Sequence, residues 1–122
     1  VSRHRLLNLP ATGVPRAHIC GIHLSLPGHG DSGPTLEIFQ YDEMLEAPLP
    51  APNRPGLAHL AFSVEDVDVA RSQVVESGGS QLGEVGIRRI PGVALLTFCY
   101  CTDPEGNILE LQHWSAQREP SG

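Results

Sequence analysis

Along residues 57–64, Leu-Ala-His-Leu-Ala-Phe-Ser-Val, two faces alternate: Leu60, Phe62 and Val64 fall on one, His59, Ala61 and Ser63 on the other. A period of two predicts a strand packed on one side and open to something polar on the other. Beyond it the period lengthens. Val67, Ala70 and Val74 recur at helical spacing, Asp66 or Asp68 stands where a cap is needed, and Gly78-Gly79 ends the helix near Ser77. Residues 81–90 read as a strand weakened by Gly83 and Gly86, and 93–101 as a strand rich in β-branched and aromatic side chains. The turn Asp103-Pro104-Glu105-Gly106 then leads into a last strand over 107–114. The predicted order is strand, helix, strand, strand, strand.

The first half gives only the end of that order. Residues 17–26 read as a strand, the Gly- and Pro-rich stretch after them as a turn, and 35–41 as a second strand. Ahead of these, 3–9 suggest a short helix followed by a loop. Pro48, Pro50, Pro52 and Pro55 make the segment between the halves a stiff, extended connector.

The two halves share a plan. Asp103-Pro-Glu-Gly-Asn-Ile-Leu-Glu-Leu-Gln-His-Trp114 has a weaker echo in Asp31-Ser-Gly-Pro-Thr-Leu-Glu-Ile-Phe-Gln-Tyr41, which makes Glu37 and Glu110 equivalent, 73 positions apart (110 minus 37). A period that long implies two copies of one structural unit. The same subtraction places a counterpart of His59 before Val1, so the first strand and helix of copy one are expected to lie outside this sequence. A fragment, omitted residues and a true truncation all fit that expectation.

Composition narrows the function. At 122 residues with 40% hydrophobic content, the chain is expected to be one globular domain. It has no apolar run near 18 residues and no basic-then-apolar leader, so no membrane span or signal peptide is visible and a cytoplasmic location is expected. A net charge of −6 argues against nucleic acid. All eight basic residues are Arg, which excludes lysine Schiff-base and P-loop chemistry. Of three cysteines, Cys99 and Cys101 share a strand face and read as small buried hydrophobes in a reducing compartment; a Cys-x-Cys metal site would need further soft ligands.

Gly56-Leu-Ala-His59-Leu-Ala-Phe-Ser-Val-Glu-Asp66-Val-Asp68, with Glu110 in its Asp103-to-Leu111 strand 51 positions after His59, resembles the vicinal oxygen chelate superfamily. That superfamily includes glyoxalase I, methylmalonyl-CoA epimerase, extradiol dioxygenases, fosfomycin resistance enzymes and bleomycin-binding proteins. The resemblance covers roughly residues 17–115. It implies an α+β fold: paired βαβββ modules forming a curved mixed sheet around a cup, the first module truncated at its N-terminus. The implied layout is an incomplete first module over 1–46, the Pro-rich connector over 47–56 and a complete second module over 57–115. One divalent metal ion (Zn, Ni, Co, Mn or Fe) is the implied cofactor, with His59, Glu110 and Glu37 as its ligands. The family's fourth ligand, from the first strand of module one, has no counterpart; His18 and His23 lie on what would be the third strand.

The alternation supports these candidates independently. His59 lies on the polar face of its strand, and Glu110 shares a face with Ile108, Gln112 and Trp114, as Glu37 does with Thr35, Phe39 and Tyr41. A carboxylate among apolar neighbours is costly without a cation or a partner. The leading expectation is a glyoxalase- or epimerase-like lyase or isomerase. Its metal would act as a Lewis acid that stabilises an enediolate or enolate, while Glu110, and with it Glu37, moves the proton. A non-catalytic small-molecule binder of the bleomycin-resistance type is the alternative. An extradiol dioxygenase ranks behind both, because residues 60–104 contain no His. The resemblance implies a small-molecule substrate and a homodimer. Asp66 and Asp68 read as helix-start residues, His23 and Ser25 as strand positions, Trp114, Phe39 and Tyr41 as core or rim, and His4, His29 and His113 as surface.

Overall fold

The structure, a computed structural model, describes residues 2–7 and 10–116, with side chains from Ala11 onward. Its contacts divide the chain into two compact units, Val1–Ala47 and Pro48–Gly122.

The first unit is a three-stranded antiparallel sheet in the order β1-β2-β3, built from β1 (Ser2–Leu7), β2 (His18–Ser25) and β3 (Thr35–Tyr41). Both expected strands form. The helix expected over 3–9 does not form over 3–7, the part of it within the described residues: Ser2–Leu7 pairs along its whole length with β2, Leu6 opposite Ile19. The Leu spacing there suits a helix only weakly, and six backbone pairings along an available strand override it. Among its described side chains the buried hydrophobic residues are Ala17 and Ile19, and Gly21 is buried beside them on β2. A nine-residue turn, 26–34, joins β2 to β3 and is closed by the Leu26 amide donating to the Pro34 carbonyl at 3.4 Å.

The second unit is a mixed sheet. β4 (His59–Ser63) runs parallel to β8 (Ile108–Ala116), which pairs antiparallel with β7 (Ala94–Thr102). The far edge of β7 carries both β5 (Ser80–Gln81) and β6 (Gly86–Ile90), so the single strand expected over 81–90 is interrupted. Gly83 and its neighbours loop out between the two pieces, in keeping with the poor strand propensity of glycine.

Helix α1 (Val67–Glu76) follows β4 and leads into β5. Asp66 is its N-cap, its carboxylate accepting from the Val69 amide at 2.9 Å. Asp68 instead accepts from Arg71 at 3.2 Å. At the other end Gly78 takes φ +97°, which lets the Gly79 amide return to the Val74 carbonyl at 2.9 Å.

The core lies between α1 and one sheet face. Val67, Cys99, Cys101 and Leu111 are buried, with Phe62, Val64, Ala70 and Val74 packed against them. Leu60, expected on this packed face, stays 41% exposed, and Cys20 is exposed, unlike the other two cysteines. His113, expected at the surface, is half-buried and within 3.0 Å of the Val64 carbonyl.

Register relates the two units. The closing pair of the first hairpin, Ser25 opposite Thr35, corresponds to Thr102 opposite Ile108. β1, β2 and β3 therefore match β6, β7 and β8; counterparts of β4 and α1 are not among the described residues of the first unit. No helix among the described residues is long and apolar enough to cross a membrane.

Candidate active site

Strand β8 alternates, and the face turned away from α1 carries Ile108, Glu110, Gln112 and Trp114. Glu110 is the buried charged residue of the chain's described part, 8% exposed. A carboxylate so placed is costly unless it is hydrogen-bonded. Gln112 supplies the bond: its Nε2 donates to Glu110 Oε2 at 2.7 Å, and Trp114 Nε1 donates in turn to Gln112 Oε1 at 2.9 Å. Three side chains at spacing two thus form one file of hydrogen bonds.

Parallel pairing brings in the histidine. Ala61 lies opposite Glu110 and His59 opposite Ile108, so the imidazole and the carboxylate share a face one step apart. His59 Nε2 stands 3.6 Å from Glu110 Oε2. On the other side of Glu110, Tyr100 is its direct partner across the β7–β8 ladder. The Tyr100 ring meets His59 edge-on at 5.0 Å, and Phe98 meets Tyr100 edge-on at 6.2 Å. Gly86 lies opposite Phe98, where a Cβ would come within 3.2 Å of the ring. Burial, and then the Glu110 charge, push the Tyr100 hydroxyl above its ordinary value of 10.0. It is therefore a hydrogen-bond donor throughout the physiological range.

Glu37 lies in the other unit, exposed on β3, where its direct cross-strand partner is His23 and the two form an ion pair. His23 thus holds the register position that Tyr100 holds in the second unit. His18 pairs with Asp42 at 3.6 Å on the opposite face of that sheet. His59 and Glu110 are accordingly brought together within one unit, and Glu37 has a separate local partner.

Two members of the site escaped the sequence reading. Gln112 was legible in principle, since a glutamine two residues from a buried carboxylate is on its face and in reach. Tyr100 was not, because its place opposite Glu110 depends on the register that the five-residue turn over 103–107 imposes. An apolar groove of about 360 Å³ between α1 and β8, lined by Val64, Val74, Leu109 and Leu111, lies on the covered face and has no part in this chemistry.

An imidazole nitrogen and a carboxylate oxygen are a donor pair that borderline-hard divalent ions accept. Donors about 2.0–2.2 Å from one ion stand about 3–3.6 Å apart, so the observed 3.6 Å suits a shared ion. Within either unit no three His, Cys, Asp or Glu side chains gather among the described residues.

Three comparisons bear on identity. A family model described as a glyoxalase-like domain matches residues 10–112. No curated protein matches the chain. A solved glyoxalase family protein from Bacillus cereus has a TM-score of 0.75 at 20% identity, over 93% of this chain and 75% of its own. A glyoxylase/bleomycin resistance protein/dioxygenase domain from Frankia sp. EAN1pec scores 0.57 at 21% identity, over 97% and 74%. A glyoxalase family protein from Enterococcus faecalis scores 0.53 at 26% identity, over 91% and 78%. With a sheet of this topology and a His–Glu pair on the face turned away from its helix, the chain belongs to the glyoxalase-like domain family of the vicinal oxygen chelate superfamily.

Proposed function

We propose that this protein is a glyoxalase- or epimerase-like metalloenzyme acting on a small molecule that carries two adjacent oxygens. The observation that carries the reading is the 3.6 Å approach of His59 Nε2 to Glu110 Oε2 on the sheet face turned away from α1. His59 and Glu110 would hold the ion, and a bound divalent ion would supply Lewis acidity toward the substrate's oxygens. The Glu110 carboxylate is also the group suited to accept a proton from a carbon beside a carbonyl. Tyr100, kept protonated by burial and by the Glu110 charge, offers a hydroxyl to the same space. Phe98 and Tyr100 form an aromatic wall that keeps one side of the site apolar, which favours proton transfer over exchange with water. Glu37 is the further carboxylate that the family resemblance assigns to metal binding and proton transfer, and its ion pair with His23 would have to open for that role.

One observation favours a second reading, a non-catalytic binder of the bleomycin-resistance type. Aromatic side chains (Phe98, Tyr100 and Trp114) outnumber the metal-type donors on this face. Metal content separates the two. Purified without a His tag and equilibrated with Ni(II), Zn(II), Co(II) or Mn(II), the metalloenzyme is expected to retain about one ion per chain by plasma mass spectrometry. His59→Ala and Glu110→Ala should each weaken binding by more than about 100-fold, beyond what loss of a supporting residue costs. Wild-type protein that retains none of these ions sinks the metalloenzyme reading and leaves the binder.

A further inference from the structure

We infer that Gln112 and Trp114 are positioning residues that hold the Glu110 carboxylate in place beside His59; the inference rests on the metal reading of the site. The oxygen that accepts from Gln112, Oε2, is the one that stands 3.6 Å from His59 Nε2. Fixing that oxygen fixes the donor pair.

The orientation of the glutamine matters, and Glu110 and Trp114 enforce the same one. Turned end for end, the Gln112 amide would present its carbonyl oxygen to a carboxylate, two acceptors in contact. An amide alone can adopt either orientation. The indole N–H can only donate, so the oxygen end must face Trp114 and the nitrogen end must face Glu110. The flip that the carboxylate requires is thus reinforced from four residues away. The file exists because residues 110, 112 and 114 occupy successive positions on one face of one strand, which β7 pairs throughout and β4 pairs as far as Gln112.

Without the relay, Glu110 keeps its charge and its backbone position but loses the contact that selects one rotamer. A ligand carboxylate that must be ordered on binding holds an ion less tightly, and loss of such supporting bonds costs about 10–100-fold in metal affinity.

The test uses Co(II) as the probe, because its visible spectrum reports coordination geometry as well as occupancy. Gln112→Met keeps the length and bulk of the side chain without the donor; Trp114→Phe keeps a ring without the N–H. The protein has one tryptophan, so its indole N–H gives a single side-chain resonance whose hydrogen exchange can be followed without metal. Gln112→Met is expected to lose about 10–100-fold in Co(II) affinity, with an altered spectrum and faster indole exchange. Trp114→Phe should lose less, because Gln112 still donates to Glu110 and has lost only its own anchor. If wild-type protein binds Co(II), His59→Ala abolishes binding and Gln112→Met binds as tightly as wild type, the relay is overturned while the metal reading stands. If wild-type protein binds no Co(II) but indole exchange still accelerates in Gln112→Met, the metal reading fails and the hydrogen-bonded file survives. Exchange unchanged in Gln112→Met overturns the relay in either case.

Discussion

Tyr100 stands directly across the β7–β8 ladder from Glu110, and its ring also meets His59 edge-on at 5.0 Å. One side chain therefore touches the surroundings of both metal-type donors while holding its own proton. Tyr100→Phe keeps the ring contacts and removes the hydroxyl. Thermal stability should change by less than about 1 kcal/mol, whereas any proton-transfer activity that uses the hydroxyl should fall by about 100-fold or more. Alkaline titration of tyrosine absorbance is an independent check. One of the two tyrosines should ionise above 10.0 in wild type, and that component should vanish in the variant.

Cys99 gives a pH prediction for stability. Burial, then the charge and hydrogen bond of Cys101, whose Sγ lies 4.0 Å away, push the Cys99 thiol from 9.0 to about 11. The folded state therefore binds this proton more tightly than the unfolded chain does. The associated stability is fully present below pH 9 and is lost as pH rises through about 11. Urea midpoints measured between those values should fall, and the Cys99→Ala variant, less stable at neutral pH, should fall less steeply.

Two glycines should respond differently to the same added methyl group. At Gly79 a Cβ would lie 2.3 Å from the Thr102 carbonyl oxygen and 2.7 Å from Val74 Cγ1, and backbone cannot step aside cheaply. Gly79→Ala is expected to cost about 3 kcal/mol in chemical denaturation. At Gly86 the nearest atoms belong to the Phe98 ring at 3.2 Å, which can tilt. Gly86→Ala should cost less than about 1 kcal/mol while displacing the aromatic wall, so ligand affinity rather than stability is the sensitive readout.

Asp103 ties the turn that sets the site's register. Its carboxylate accepts from the Glu105 amide at 2.9 Å, the Asn107 amide at 2.8 Å and the Asn107 side chain at 2.8 Å. Asp103→Ala should lose about 1–2 kcal/mol by thermal denaturation, since the bonds are exposed. Asp103→Asn, which keeps an acceptor, should lose about half of that.

The second unit was legible because local signals agreed there. Alternation over 57–64, the Asp66 cap, the glycines after Ser77 and the β-rich run over 93–101 all point one way, and the elements formed close to their expected bounds. The helix expected from residue 3 onward gives way to a strand over 3–7 because the order there comes from β2, a partner that local periodicity cannot see. The pairing of His59 with Glu110 could be proposed from alternation and family resemblance, yet their approach follows from parallel register alone. The file through Gln112 and Trp114 needed side-chain geometry. His113 was misplaced because a polar residue at a strand end reads as solvated, while here it reaches a backbone carbonyl left by the chain leaving β4.

The nine-residue turn over 26–34 has a five-residue counterpart, 103–107, yet both close on an equivalent pair of residues. The extra length is absorbed wholly outside the ladder. Gly28, His29 and Gly30 at its tip are exposed; the two glycines, at φ +85° and +70°, are positions to keep, so an insertion belongs beside His29 rather than in their place. For protein engineering this marks a permissive port: an epitope, a fluorophore-bearing cysteine or a short affinity peptide spliced here would report on the molecule without touching the strands that carry its chemistry.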